Sequence, residues 1–236
     1  MASGSHRLDR YFSKTLGINR RDVKALLAQG RILIDHQPAV DAEQLVDEFS
    51  HIAFDERVLQ LKLPVYLMLH KPIGILSATT DPRHPTVIDL LQRADKGDLH
   101  IVGRLDRGSS GLLLLTNDGR WSRALMAPEL EVPKVYLVTV QNPLTPDYVK
   151  AFSDGMYFAY EGITTRPARL EILEVRLARV TLVEGRYHQI KRMFGRFRNP
   201  VLALHRTTIG SLPLDPALAP GQSRELTAAE LTGLQG

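Results

Sequence analysis

The chain has 236 residues, 44% hydrophobic and 24% charged, with a formal net charge of +4 and no cysteine. This is the composition of a globular protein with one large or two modest cores, and the missing thiols exclude disulfides, thiolate metal sites, iron–sulfur clusters and a cysteine nucleophile. No stretch approaches the roughly 18 consecutive apolar residues of a membrane span and no apolar signal-peptide core lies near the start, so a cytoplasmic protein without membrane contact is expected.

The opening MASGSH reads as an expression-tag remnant outside the fold. Residues 7–62 then form a small module. RLDRYFSKTLG places Leu8, Tyr11, Phe12 and Leu16 at helical spacing, with Gly17 to end the helix. Asn19 can cap a second helix, RRDVKALLAQG, whose apolar stripe is Val23, Leu26 and Leu27. RILID reads as a strand, HQPA as a turn, and HIAF and RVLQL as two further strands.

Charge is distributed unevenly. Residues 7–31 carry seven Lys/Arg against two Asp/Glu, residues 32–62 carry two against seven, and residues 184–206 carry six against one. Basic clusters in a nearly neutral chain suggest local contact with a polyanion. Arg20, Arg21 and Lys24 on the second helix, with Arg31 just beyond it, are candidates to grip phosphates without reading base sequence.

Pro64 in KLPVYLMLHKP marks the start of a second unit, residues 63–236. VYLMLHK, LHIVG, GLLLLT, VYLVTV, RLEIL and RVTLV read as its strands, and helices are expected near Trp121–Met126, Pro146–Ser153 and His188–Arg198. Short turns between neighbouring strands predict an α+β fold, with a mixed, largely antiparallel sheet and flanking helices.

One stretch, GRLDRGSSGLLLLTNDG from Gly103, places a carboxylate immediately before the most apolar strand. Gly103, Gly108 and Gly111 allow sharp turns and close approach to a ligand. A leucine run buried on both faces would leave Arg104 and Asp106 displayed on a rigid edge. Considered alone, Asp106 is equally a turn residue bonding its own backbone. In EGRYHQIKRMF, Ile190, Met193, Phe194 and Phe197 form one helical face. His188, Lys191 and Arg192 fall off that face, free to meet a carboxylate or phosphate.

Four motifs in order, LHKPIGILSAT, GRLDRGSSGLLLLTNDG, KVYLVTV and EGRYHQIKRMF, resemble those of pseudouridine synthases of the RsuA type. The module in front resembles the small RNA-binding domain named after ribosomal protein S-four, departing from it at His36-Gln37, where that family usually has Asn-Gly. The resemblance implies isomerisation of a uridine in ribosomal RNA, free or in a subunit assembly intermediate, by a monomer that needs no cofactor or metal. It further implies Asp106 as the essential catalytic group, Lys191 as the cation that keeps it ionised, with Arg192 as the rival, and Tyr136 as the ring stacked on a flipped uracil. Lys71, Arg104, Arg186 and His188 are then expected RNA contacts beside the site, as are Arg192, Arg198 and Arg206. Tyr187-His188, where large-subunit enzymes more often have an Asn-Arg pair, points to small-subunit (16S) RNA. A synthase acting on large-subunit RNA and a non-catalytic RNA-binding assembly factor are the alternatives.

Overall fold

A computed structural model of the chain describes residues 5–234. The chain divides into two compact units between Pro64 and Val65. The first unit runs β1 (His6–Arg7), α1 (Leu8–Leu16), α2 (Arg20–Ala28), β2 (Ile32–Ile34), β3 (Gln37–Pro38), β4 (Leu45–Val46), β5 (Ile52–Phe54) and β6 (Arg57–Gln60). Leu8 and Phe12 of α1 and Val23 of α2 pack with Ile32 and Ile52 of a sheet ordered β3-β2-β5-β6.

Three expectations need correction here. Residues 1–4 of the expected tag remnant lie outside the described residues, but His6 belongs to the fold, because β1 pairs antiparallel with β4 through His6 and Val46. The turn after β2 falls on Asp35 and His36, at φ 50° and 66°, with Gln37–Pro38 already extended. Asp and His tolerate the left-handed region that such a tight hairpin requires. Asn19 stands at the start of α2, but its side chain makes no capping bond.

The second unit begins with β7 (Tyr66–Lys71), β8 (His100–Val102), β9 (Ser110–Thr116), α3 (Gly119–Met126), β10 (Lys134–Val140) and α4 (Pro146–Asp154). It continues through β11 (Tyr157–Phe158), β12 (Ile163–Thr164), β13 (Arg169–Glu174), β14 (Leu177–Leu182), α5 (Gln189–Gly195) and β15 (Val201–Ile209). β16 (Leu212–Pro213), β17 (Ser223–Glu225) and α6 (Ala228–Gly233) complete it. The central sheet runs β13-β14-β10-β15-β9-β7-β17, with β8 paired to β9 and β16 to β15. Its pairings are antiparallel except β9 with β15.

The leucine run is the middle of this sheet. Leu113 and Leu115 enter one apolar cluster with Leu69, Val138 and Phe194, whereas Leu112 and Leu114 enter another with Met68, Trp121 and Ile209. Alternation of side chains puts one strand into two cores at once.

β9 changes partners along one edge. Ser110 and Gly111 pair with His205 and Arg206 of β15, whereas Leu114–Thr116 pair with β8. Where the ladder splits, the Arg206 side chain closes it. Its Nε donates to Leu112 O at 2.8 Å, Nη2 to Gly103 O at 3.1 Å and Nη1 to Arg104 O at 3.5 Å. Arg206 is 2% exposed and three of its five N–H donors go to backbone carbonyls, so it is built into the wall of the fold rather than standing free as the surface RNA contact that the sequence suggested. The close approach at Gly111 is likewise to protein rather than ligand. At φ 112°, a Cβ there would stand 2.2 Å from Arg206 O.

The same Gly103–Ser109 loop is held from its other side by residues that follow β7. Ser77 Oγ donates to Leu105 O at 2.8 Å and accepts from Leu105 N at 3.1 Å. Gly74 N donates to Arg107 O at 2.8 Å, and Arg107 Nε donates back to Gly74 O at 3.1 Å. Lys71, expected as an RNA contact, is wholly buried and donates to Ser109 O at 2.8 Å and Pro72 O at 3.0 Å. Its alternation along β7 places it on the same face of the sheet as buried Leu67 and Leu69.

Burial pulls the Lys71 ammonium down from its ordinary 10.5 to about 8, with Asp106 opposing the shift and Arg206 adding to it. Between these two values the unfolded chain holds a proton that the folded chain has released, so the stability contributed by this group rises with pH. The unfolding free energy of the wild type, measured against Lys71→Met in denaturant, is therefore expected to gain on the order of 1 kcal/mol per pH unit across that window. A difference that does not change with pH contradicts a charge buried at this position.

Candidate active site

Asp106 sits in the pinned loop between β8 and β9, its neighbours Leu105 and Arg107 each tied through the backbone. Its carboxylate, 28% exposed, faces the start of α5. Lys191 Nζ lies 2.9 Å from Oδ2, and His188 Nε2 lies 3.4 Å from Oδ1.

Two local features aim those partners. Ile190, Met193 and Phe194 are buried, and Phe197 stacks on Tyr148 at 3.9 Å. That apolar face fixes the rotation of α5 and turns Lys191 toward the loop. The loop before α5 is braced by buried Gln189, which donates to Glu184 Oε1 at 2.7 Å and accepts from Arg186 N at 3.1 Å. His188 takes a left-handed conformation at φ 49°, ψ 31° as the chain enters the helix. Non-glycine residues held in that region cost free energy and are concentrated at functional sites.

Arg192 does not compete for Asp106. Its guanidinium donates to Glu161 at 2.7 and 3.0 Å and lies 3.7 Å from the centre of the Phe158 ring, tying α5 to the β11–β12 hairpin. It therefore buttresses the hairpin and is not free to bind a phosphate as the sequence suggested.

A cleft of about 730 Å³ opens over the carboxylate, lined among others by Arg104, Asp106, Lys134, Tyr136, Arg186 and His188. A smaller recess of about 90 Å³ adjoins it, walled by Ser109, Tyr136, Leu182, Ile190 and Leu204. Tyr136, 8% exposed, projects from β10 into both. Polar groups converging on a partly apolar pocket of this size suit one nucleoside better than a flat polymer surface. The structure thus brings together Asp106, Tyr136, Lys191, His188, Arg104 and Arg186. Arg186 is shared with Glu184, to which its Nε donates at 2.9 Å.

Arg20, Arg21 and Lys24 belong to the first unit and are exposed on α2. Arg31 differs from them. It is paired with Asp55 and lies 5.0 Å from the centre of the Phe54 ring, so its charge is already balanced within the module.

Sequence patterns alone assigned no role to Lys134, Ser77 or Gln189. Lys134 lies two residues before Tyr136 on β10 and so shares its face, a signal that was available. It is 9% exposed, donates to Val132 O at 2.9 Å, and burial with Arg206 nearby lowers its pKa. Ser77 and Gln189 act through hydrogen bonds to loops, which no periodicity announces.

Comparison with known proteins identifies a family. Residues 65–195 match the family model described as RNA pseudouridylate synthase, a span that holds Asp106, Tyr136 and Lys191. A protein of Pseudomonas aeruginosa named ribosomal small subunit pseudouridine synthase A is 50% identical over 95% of this chain and 98% of its own. Proteins of the same name from Yersinia pestis and Escherichia coli K12 are 40% and 38% identical over 97% of this chain and 97% and 99% of theirs. A crystal structure described as pseudouridylate synthase superposes with a TM-score of 0.71 at 34% identity, covering 97% of this chain and 99% of the other. A family model matched over more than half of the chain, and relatives at 38–50% identity along nearly its whole length, place this chain in the RNA pseudouridylate synthase family.

Proposed function

We propose that this protein isomerises a uridine of small-subunit ribosomal RNA to pseudouridine, with Asp106 as the catalytic group. The observation that carries the reading is the Asp106–Lys191 pair, 2.9 Å apart, on a loop pinned at the cleft wall beside Tyr136. The substrate assignment rests on relatives named for the small ribosomal subunit at 38–50% identity. Bound as a monomer to rRNA, free or in an assembly intermediate, the enzyme needs one uridine turned out of its stack into the cleft.

The isomerisation breaks the bond from C1′ to N1 of uracil, turns the ring and forms a bond from C1′ to C5. C5 loses a proton and N1 gains one, so nothing is oxidised or consumed and no cofactor is required. Asp106 is the nucleophile or base. Lys191 and His188 hold its two oxygens, keeping the carboxylate aimed without reorganisation during the reaction. Tyr136 offers a ring against which uracil stacks, a contact worth roughly 1–3 kcal/mol. Arg104 and Arg186 at the cleft wall supply cations for the flanking phosphates.

The test uses ribosomal RNA from cells that lack the gene. Incubation with the protein is expected to add a pseudouridine to small-subunit RNA, whereas Asp106→Asn adds none and binds the RNA within a few-fold of wild type. An amide keeps the shape of the side chain but can act neither as nucleophile nor as base. Pseudouridine made by the Asn variant contradicts the role of Asp106, and pseudouridine appearing only in large-subunit RNA contradicts the substrate.

The first unit is, in this reading, an S-four-like RNA-binding module that grips phosphates through Arg20, Arg21 and Lys24. These cations share one exposed helix, without exposed aromatic rings between them to stack bases. Replacing all three by alanine is expected to weaken binding to unrelated RNAs to a similar extent. The salt dependence should flatten by about 0.7 in slope for each single-strand phosphate that is no longer neutralised. The modified uridine should stay the same; a new one in the triple variant would show that the module chooses the site.

A further inference from the structure

Tyr187 has an arrangement that the proposed chemistry does not use. It is 74% exposed, unusual for a large aromatic residue, and lies on the rim of the cleft that holds Asp106. One face of its ring stacks on His188, with centroids 3.9 Å apart and planes within 18° of parallel. His188 in turn stands 3.4 Å from Asp106 Oδ1. The pair is held from beneath, since His188 is fixed in its left-handed turn and Arg192, anchored on Glu161, donates to Tyr187 O at 3.4 Å. The stacked ring presents its outer face to solvent a short step from the carboxylate.

We propose that Tyr187 is a stacking platform for a nucleobase next to the target uridine in the RNA chain. Turning one nucleotide out of a strand leaves its neighbours without a stacking partner, and an exposed aromatic face replaces that contact whatever the base. The platform lies beside Asp106, so a base seated on it belongs to a nucleotide flanking the one in the cleft. Arg104 and Arg186 line the same cleft and can hold the phosphates on either side. The Tyr187–His188 pair thus extends the site from one nucleoside to a short single-stranded segment. A platform of this kind binds substrate before and during the reaction alike, so it acts on KM rather than on kcat.

This inference rests on the proposed function, and the experiment separates the two. An RNA substrate that wild type converts is prepared with an abasic nucleotide at each of the two positions on either side of the target. Each RNA is assayed with wild type, Tyr187→Ala, Tyr187→Phe and Tyr187→Trp. Tyr187→Ala is expected to raise KM about 5- to 100-fold on the intact RNA, with kcat within a few-fold, and both aromatic variants to restore it. At one flanking position the abasic RNA should raise the wild-type KM similarly and abolish the effect of Tyr187→Ala, the non-additivity expected of two partners in one interaction. The platform is overturned if Tyr187→Phe is as impaired as Tyr187→Ala, if kcat falls while KM is kept, or if the two effects add at every position. A wild type that forms no pseudouridine in any RNA refutes the proposed function itself, and the platform with it.

Discussion

Arg206 stands where the central sheet parts, and one guanidinium binds three backbone carbonyls on two different stretches of chain. This constraint supports the architecture of the site. β9 cannot keep β15 as its neighbour and also accept β8, so a gap opens at Leu112. A gap of unpaired carbonyls inside a protein is costly. A planar group with several fixed donors closes it, and does so only if the Gly103–Arg104 carbonyls come to it. The loop that bears Asp106 is consequently part of the sheet's hydrogen bonding rather than a surface excursion. Gly111 follows from the same geometry, since the parallel pairing brings the Arg206 backbone to where a side chain would otherwise stand.

Around that anchor, groups of different chemistry cooperate. Ser77 and Gly74 hold the residues on either side of Asp106, and Lys71 holds Ser109 from inside the sheet. Two buried cations, Lys71 and Arg206, therefore lie behind a partly exposed carboxylate whose own ion pair is with Lys191. Burying charge without compensation is unfavourable; here each buried cation is satisfied by backbone carbonyls. The arrangement keeps the front of the site free for substrate, with Lys191, His188 and Tyr136 contributed from outside the loop by α5, the turn before it and β10, which share one apolar cluster with Leu105 of the loop. Positioning of this kind lets a carboxylate act without rearranging its surroundings.

Much of this was legible in the sequence, and the parts that were not share a cause. The leucine run announced a strand buried on both faces, and helical spacing in QIKRMF by itself turned Lys191 away from the core. Both are local patterns. Strand β15, VLALHRTTI, is hard to recognise because exposed Leu202 and Ala203 and the polar His205-Arg206 pair blur its alternation. With that strand missing, Arg206 looked like one more surface cation in a basic segment. Its partners lie about a hundred residues away, a distance at which periodicity says nothing. Lys71 was misjudged for the same reason, its burial being decided by β9 and the Ser109 carbonyl. Arg192 and Arg31 were counted as free charges because the acids that pair with them, Glu161 and Asp55, are distant in the chain.

The central claim is that Arg206 serves the site by holding the Asp106 loop in place. Amide hydrogen exchange of residues 105–109, measured for wild type and Arg206→Met alongside steady-state kinetics, tests it directly. The account expects these amides to exchange faster in the variant, with kcat reduced and RNA affinity kept within a few-fold. Loss of kcat with unchanged exchange would place Arg206 in the chemistry, and faster exchange with kcat unaltered would show that the reaction does not need the loop held; either result contradicts the account.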